Sequence, residues 1–131
     1  MAQTQRVAPL RRSQRNHTMK IDIRCLSFET SEALKTHTER RIHFLLSRFG
    51  TDIGTVHVRL SDVNGPRGGL DKRCHVTLHG PRLGSVVVDE LSADAYASVN
   101  YALHRAARVV SRELDRVRSV RSLESELGRA S

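Results

Sequence analysis

The chain is poor in aromatic residues. Among its 131 residues there are two Tyr, three Phe and no Trp. RNA-binding surfaces that work mainly by stacking bases need several exposed rings. The composition therefore argues against a base-stacking platform as the main means of binding.

Cysteines and long apolar segments are also scarce. Cys25 and Cys74 form neither a CxxC pair nor a disulfide framework. No run of 18 apolar residues suggests a membrane span, and no apolar core of a signal peptide is present. We therefore expect a cytoplasmic protein in a reducing environment, with no membrane partner.

Positive charge, in contrast, is abundant. The 22 Lys and Arg residues exceed the 14 Asp and Glu residues, which gives a formal net charge of +8. All but three of these cations are Arg, whose planar fork of donors matches phosphate oxygens. A balance of this kind predicts salt-sensitive attraction to polyanions, with nucleic acid first and anionic membrane second. If the charge served solubility alone, the Arg residues would be scattered.

The chain divides into three parts by composition. Residues 1–18 contain four Arg, no acid and no periodicity, which predicts a disordered basic arm. Two other readings of this arm stay open: a start site assigned upstream of Met19, or a transit-like leader. Residues 19–120 are expected to form one α+β domain. Residues 121–131 are expected to continue the last helix and then fray into a C-terminal tail.

Two kinds of periodicity alternate within the domain. Around Ile21–Cys25, Val56–Leu60 and Cys74–Leu78 apolar and polar residues alternate, and "SVVVDEL" adds a fourth strand. Between the first two strands a helix is predicted, capped by Thr30 or Ser31 and stopped by Gly50. Its apolar face comprises Ala33, Leu34, Ile42, Leu45 and Leu46.

A second helix is predicted from about Asp94 to Arg118, with Ser92 or Asp94 as its cap. The segments "NGPRGG" and Gly80 to Gly84 have the composition of turns. The element order is therefore β-α-β-β-β-α. Two helices packed on one face of a four-stranded sheet is the simplest α+β arrangement for this order.

The last helix shows where the charge is concentrated. Its expected core stripe comprises Val99, Leu103, Ala106, Val110, Leu114 and Val117. Arg105, Arg108, Arg112 and Arg116 follow one another at spacings of three, four and four, so they form one line roughly opposite that stripe. Asp115 is expected to reach Arg112 and Arg118, and Glu113 to lie towards the apolar stripe. A charged helix face is usually just solvated, but a line of a single sign favours phosphate binding.

Further candidate RNA-binding residues lie elsewhere in the chain. Arg40 and Arg41 belong to the first helix, and Arg67, Lys72 and Arg73 to the loop "NGPRGGLDKR". Glycine amides can cradle phosphate, yet no GxxxxGK[ST] motif is present. We interpret this loop as a hairpin turn whose tip contacts RNA.

The histidines and cysteines offer the best case for an enzyme. His57, His75 and His79 are predicted to lie on the outer sheet face, but no HExxH or paired Cys-His spacing makes them converge on a metal. Cys74 and His75 are adjacent in a strand and point to opposite faces, so they cannot form a dyad. We therefore predict no catalytic residue, metal, cofactor or small-molecule substrate. A metal-dependent or thiol enzyme is the less favoured alternative.

Residues 19–118 resemble the ribosome hibernation-promoting factor family, also called the protein Y family. The segments that carry the resemblance are "MKIDIR", "SEALKTHTERRI", "VHVRLSDV" and above all "DAYASVNYALHR", which is similar to the family's Asp-x-Tyr-x-Ala-Ile-Asp/Asn pattern followed by basic residues. The resemblance implies a fold similar to double-stranded-RNA-binding domains. It also implies that Arg105, Arg108, Arg112 and Arg41 match basic positions that contact rRNA.

The same resemblance implies a function. Such proteins occupy the tRNA and mRNA channel of the small ribosomal subunit and stop translation under stress or starvation. The chain departs from them at Phe44, where members commonly carry Lys, and in the "NGPRGG" insertion. Its short tail leaves no room for the C-terminal dimerising domain of the long-form members. A general structured-RNA-binding protein is the main alternative.

Overall fold

The computed structural model of the protein describes residues 19–26, 31–63 and 71–130, with side chains as far as residue 128. The strands are β1 (Lys20–Cys25), β2 (Thr55–Asp62), β3 (Lys72–Gly80) and β4 (Gly84–Ser92). The helices are α1 (Glu32–Leu46) and α2 (Ala95–Ala130), and a short 3-10 helix (Ser47–Asp52) follows α1.

The four strands form one mixed sheet in the order β1-β2-β3-β4. β1 runs parallel to β2, with Ile23 opposite Val58. The other two pairings are antiparallel, and they place Val76 opposite both Val58 and Val88. The predicted α+β fold with a four-stranded sheet and two helices is therefore confirmed.

One hydrophobic core lies between the sheet and the two helices. The alternation along β2, β3 and β4 buries every second side chain, and these residues share one cluster with the buried faces of α1 and α2. In α2 the predicted core residues Val99 to Leu114 are buried, whereas Val117 is only half-buried. Ala33 is exposed, contrary to the prediction, because it lies about 100° around the helix from the buried Leu34.

Side-chain caps fix where both helices begin. The Ser31 hydroxyl accepts a hydrogen bond from the Leu34 amide at 3.0 Å. The Asp94 carboxylate accepts one from the Ala97 amide at 3.1 Å, while Ser92 accepts from the Asp94 amide at 3.3 Å. Of the alternatives that the sequence leaves open, Ser31 and Asp94 are the capping residues.

The end of α1 differs from the prediction. The α-helix ends at Leu46, and the chain continues as a 3-10 helix in which Gly50 has φ 59° and ψ −133°. A positive φ is readily adopted by glycine, so Gly50 redirects the chain towards β2 four residues after the α-helix has ended.

α2 is longer than its packing requires. Its 36 residues span about 54 Å, and residues 118–128 are all exposed. The sequence predicts that the helix continues beyond residue 121 before it frays, and the helix extends to Ala130. The predicted arm, residues 1–18, and the loop around Arg67 lie outside the described residues. In the part that is described, no helix is both long and apolar enough to cross a membrane.

Candidate nucleic-acid interface

The predicted line of four arginines lies on the solvent side of α2. Arg105, Arg108, Arg112 and Arg116 are all exposed, while the core stripe of the same helix is buried. The first and last arginine are eleven positions apart, so the line is about 16 Å long. The helix thus presents cations over a length that several phosphates of a folded RNA could contact.

Two of the four arginines are paired with carboxylates. Arg105 Nη1 lies 2.8 Å from Glu90 Oε2 on β4, and Arg116 Nη2 lies 2.8 Å from Glu113 Oε1. Exposed pairs of this kind contribute about 0–1 kcal/mol, so a phosphate can compete with the carboxylate. Arg108 and Arg112 have no partner among the residues that the structure describes.

The acids of α2 are placed differently from the expectation. Asp115 pairs with Arg118 at 2.8 Å and not with Arg112. Glu113 reaches Arg116, although the helical wheel places it nearer the apolar stripe, because a pair three residues apart lies on adjacent turns. As a result Arg116 has a neighbouring carboxylate and Arg112 has none among the described residues.

α1 contributes cations to the same side of the molecule. We call this surface the helical layer; its predicted arginines are Arg40, Arg41, Arg105, Arg108, Arg112 and Arg116. Arg41 Nη2 and His104 Nε2 are 2.9 Å apart, and His37 Nε2 lies 2.9 Å from Asn100 Oδ1. Both contacts join residues that are 63 positions apart, so the two helices run in the same direction where they touch. Arg41 is thereby fixed at the junction with α2, and Arg40 beside it is exposed.

Exposed aromatic rings accompany these cations, which the sequence reasoning missed. The Phe44 side chain is 75% exposed, and the Arg41 guanidinium carbon lies 5.2 Å from the centre of its ring. Tyr101 on α2 is 59% exposed. The sequence does contain a signal for this exposure. Phe44 lies on the same line of α1 as His37 and Arg41, four and three residues apart, and this line is not the apolar face of the helix.

The remaining predicted residues are not part of this layer. Lys72 lies between Asp62 and Asp71, at 3.2 and 3.1 Å. Lys72 donates hydrogen bonds to both carboxylates, and these raise its pKa, with Asp71 making the larger contribution. Arg73 donates to Asp89 on the outer sheet face at 2.7 Å, where it lines a shallow groove with Arg105 at the β4 edge. Lys72 and Arg73 are thus neutralised by acids.

The outer sheet face is balanced in charge. Asp22 pairs with Arg24 and Arg59, each at 3.2 Å. Partial burial acts to raise the pKa of Asp22, but these two guanidinium groups outweigh it and the pKa is lowered. The hydrogen bond from Arg73, helped by His75 at 2.8 Å, likewise lowers the pKa of Asp89 against the effect of its partial burial. Ion pairs dominate this face, and the unpaired arginines among the described residues lie on the helices.

The groups that suggested an enzyme are placed in structural roles. Cys74 is fully buried, and burial together with nearby Asp89 and Glu90 raises the pKa of its thiol to about 12. His57 and His79 lie on neighbouring strands with ring centres 6.2 Å apart, but His75 faces Asp89. Within the described ranges no group of three or more His, Cys, Asp or Glu side chains is placed to hold a metal ion.

The sequence profile of one protein family matches this chain over most of its length. The family is described as sigma 54 modulation protein / S30EA ribosomal protein, and the match covers residues 21–118. The chain belongs to this family. The resemblance that the sequence segments carry is thereby confirmed. No curated protein sequence matches the chain.

Two solved structures share the fold of this chain. A ribosomal subunit interface protein from Coxiella burnetii is similar with a TM-score of 0.61 and 21% identity. The N-terminal domain of Protein Y from Thermus thermophilus is similar with a TM-score of 0.58 and 25% identity. Each comparison covers 72% of this chain and 96% of the other. Both solved structures are therefore matched over almost their whole length.

Proposed function

We propose that this protein binds the rRNA of the small ribosomal subunit in the channel for tRNA and mRNA. By occupying that channel it sterically blocks translation under stress, as a cytoplasmic hibernation factor without catalysis. The family is described as containing a ribosomal protein, and the similar solved structures include a ribosomal subunit interface protein. These names support a ribosomal target for the basic surface of this chain.

The observation that carries the proposal is that several arginines of the helical layer have no carboxylate partner. Arg108 and Arg112 on α2 and Arg40 on α1 are exposed and have no ion-pair partner among the described residues. An exposed guanidinium binds phosphate without first breaking an intramolecular pair, and its fork of donors fits two phosphate oxygens. The sheet face offers no comparable surface, since its arginines Arg24, Arg59 and Arg73 are paired with carboxylates.

Phosphate contacts of this kind position a protein on RNA without reading bases. Folded RNA presents phosphates in a fixed three-dimensional arrangement, so a rigid row of cations selects a shape. A domain bound in the tRNA and mRNA channel would exclude those ligands by volume alone. Inhibition then needs no covalent step and no cofactor.

Removing the two uncompensated arginines of α2 tests this mechanism. The variant Arg108→Gln/Arg112→Gln is expected to lose cosedimentation with small subunits at near-physiological salt and to lose inhibition in a translation extract. Arg105→Gln/Arg116→Gln removes the same charge, but the affected side chains are already paired with Glu90 and Glu113. We expect it to weaken binding less.

The charge-matched control lies on the other side of the molecule. Lys20→Gln/Arg24→Gln removes two cations from the exposed face of β1 and should bind like the wild type. If the control loses binding as fully as the α2 variant does, overall charge and not the helical layer determines the affinity. Equal competition by free duplex RNA and by small subunits would instead favour the general RNA-binding alternative.

A further inference from the structure

No aromatic residue is fully buried in the described core, and Phe49 packs against it only half-buried. All its large buried side chains are aliphatic, whereas Phe44 is 75% exposed and Tyr101 59% exposed. Burying a Phe side chain contributes about 1.5–3 kcal/mol to folding. An exposed ring on a helix forgoes most of that stabilisation, so its position calls for a ligand that would cover it.

The surroundings of Phe44 indicate the chemistry of that ligand. The Arg41 guanidinium lies 5.2 Å from the ring centre and is held in place by His104 at 2.9 Å. His37 contacts Asn100, and four residues further along both helices Arg41 contacts His104. Because the helices run in the same direction, four more residues along each place Arg108 at the level of Leu45, the residue after Phe44. The Phe44 ring thus contacts Arg41, while helix geometry places the exposed Arg40 four residues before it on α1 and the exposed Arg108 at about the same level on α2.

We infer that the Phe44–Arg41 pair is a stacking site for one unpaired nucleobase, with the flanking phosphates contacting Arg40 and Arg108. The inference rests on the proposed function and specifies which part of the RNA the Phe44–Arg41 pair binds. An apolar protein segment would cover the ring equally well, but the cations beside it complement a polyanion. Base stacking on an aromatic ring combined with phosphate contacts is how single-stranded RNA is bound.

This arrangement agrees with the scarcity of aromatic residues. One ring does not make a stacking platform, and phosphate contacts remain the main means of binding. The stacked base adds a requirement that a continuous duplex cannot meet, because its bases are stacked on one another. The site therefore favours RNA with a bulged or looped-out nucleotide beside a helix.

A fluorescent base analogue tests the site directly. The probes are two RNA hairpins with the same number of phosphates, one with a single bulged 2-aminopurine and one with the analogue base-paired. The wild-type protein is expected to change the fluorescence of the bulged probe and to bind it more tightly than the paired one. Phe44→Leu should abolish the fluorescence change and weaken binding of the bulged probe roughly tenfold, within the range for loss of one stacked base.

The variant Phe44→Lys separates stacking from charge. It removes the ring and adds a cation, so it should also lose the fluorescence change and the preference for the bulged probe. Retention of the preference in either variant would overturn the stacking site, as would a wild-type protein that binds both probes equally or neither of them. Because Phe44 is exposed, both variants are expected to keep the wild-type circular dichroism spectrum.

Parallel measurements with small subunits keep the two proposals distinct. If Phe44→Leu loses affinity for small subunits while the wild type leaves the 2-aminopurine signal unchanged, the ring contacts ribosomal protein and the nucleobase site is wrong. If Arg108→Gln/Arg112→Gln still cosediments fully, the proposed rRNA footprint fails independently of Phe44.

Discussion

On the outer sheet face Asp22 pairs with three neighbours and Asp89 with two, and the ionisation of both carboxyl groups contributes to the pH dependence of stability. The hydrogen bond from Arg73 is the main cause that lowers the pKa of Asp89, and His75 adds to it. A carboxyl group whose pKa is lower in the folded state stabilises the fold above its unfolded value of about 3.9. That contribution is lost as the pH falls from about 4 through the folded pKa.

The variant Asp89→Asn removes this contribution. We expect it to unfold at a lower temperature than the wild type at neutral pH. Its free energy of unfolding should fall by less than about 1 kcal/mol, because the Arg73–Asp89 pair is about half exposed. Between about pH 5 and pH 3 the difference should shrink, since the wild type loses what the variant lacks. Thermal unfolding at several pH values measures this, with Asp115→Asn on exposed α2 as the control for net charge. A difference that widens in acid would contradict the assignment.

At the scale of elements, the close contact between β3 and the 3-10 helix constrains one glycine. A Cβ atom on Gly80 would lie 1.7 Å from the Asp52 carbonyl oxygen, which is a backbone atom and cannot rotate away. Arg82 also binds the Asp52 carboxylate at 2.8 Å, so this segment is held on both sides. The end of β3 therefore depends on the absence of a side chain at position 80.

Gly80→Ala should consequently destabilise the protein by about 1–3 kcal/mol or more, the usual effect of overpacking. Gly54→Ala is the matched control, because its Cβ would meet its nearest neighbour at an ordinary 3.6 Å, and we expect a change within about 0.5 kcal/mol. Urea unfolding of both variants measures the two free energies. Equal stabilities would mean that the 3-10 helix moves freely away from β3.

The strands and helices could be predicted from the sequence because burial follows local periodicity. Alternation along β2 and β3 and the stripe from Val99 to Leu114 each reflect one face turned to the core. The ion pairs depend on tertiary packing instead. Glu90 reaches Arg105 only because β4 packs under α2, and no local pattern indicates that.

Considered as a whole, the molecule separates its charges between two sides. Paired acids and bases cover the outer sheet face, whereas the helical side carries arginines that no described carboxylate neutralises. Separation of this kind orients the protein towards a polyanion before contact is made, and the shared core fixes the backbone of the two helices from which the arginines project. Orientation and rigidity both favour a single docked pose.

The salt dependence of small-subunit binding tests this separation quantitatively. Each arginine that binds a phosphate displaces condensed counterions, so removing it lowers the slope of log affinity against log salt by about 1. Arg108→Gln/Arg112→Gln should therefore reduce the slope by about 2, and Lys20→Gln/Arg24→Gln should leave it unchanged. Filter-binding or sedimentation titrations at several salt concentrations give the slopes. If both double variants reduce the slope equally, the RNA responds to net charge and the helical layer has no privileged part in docking.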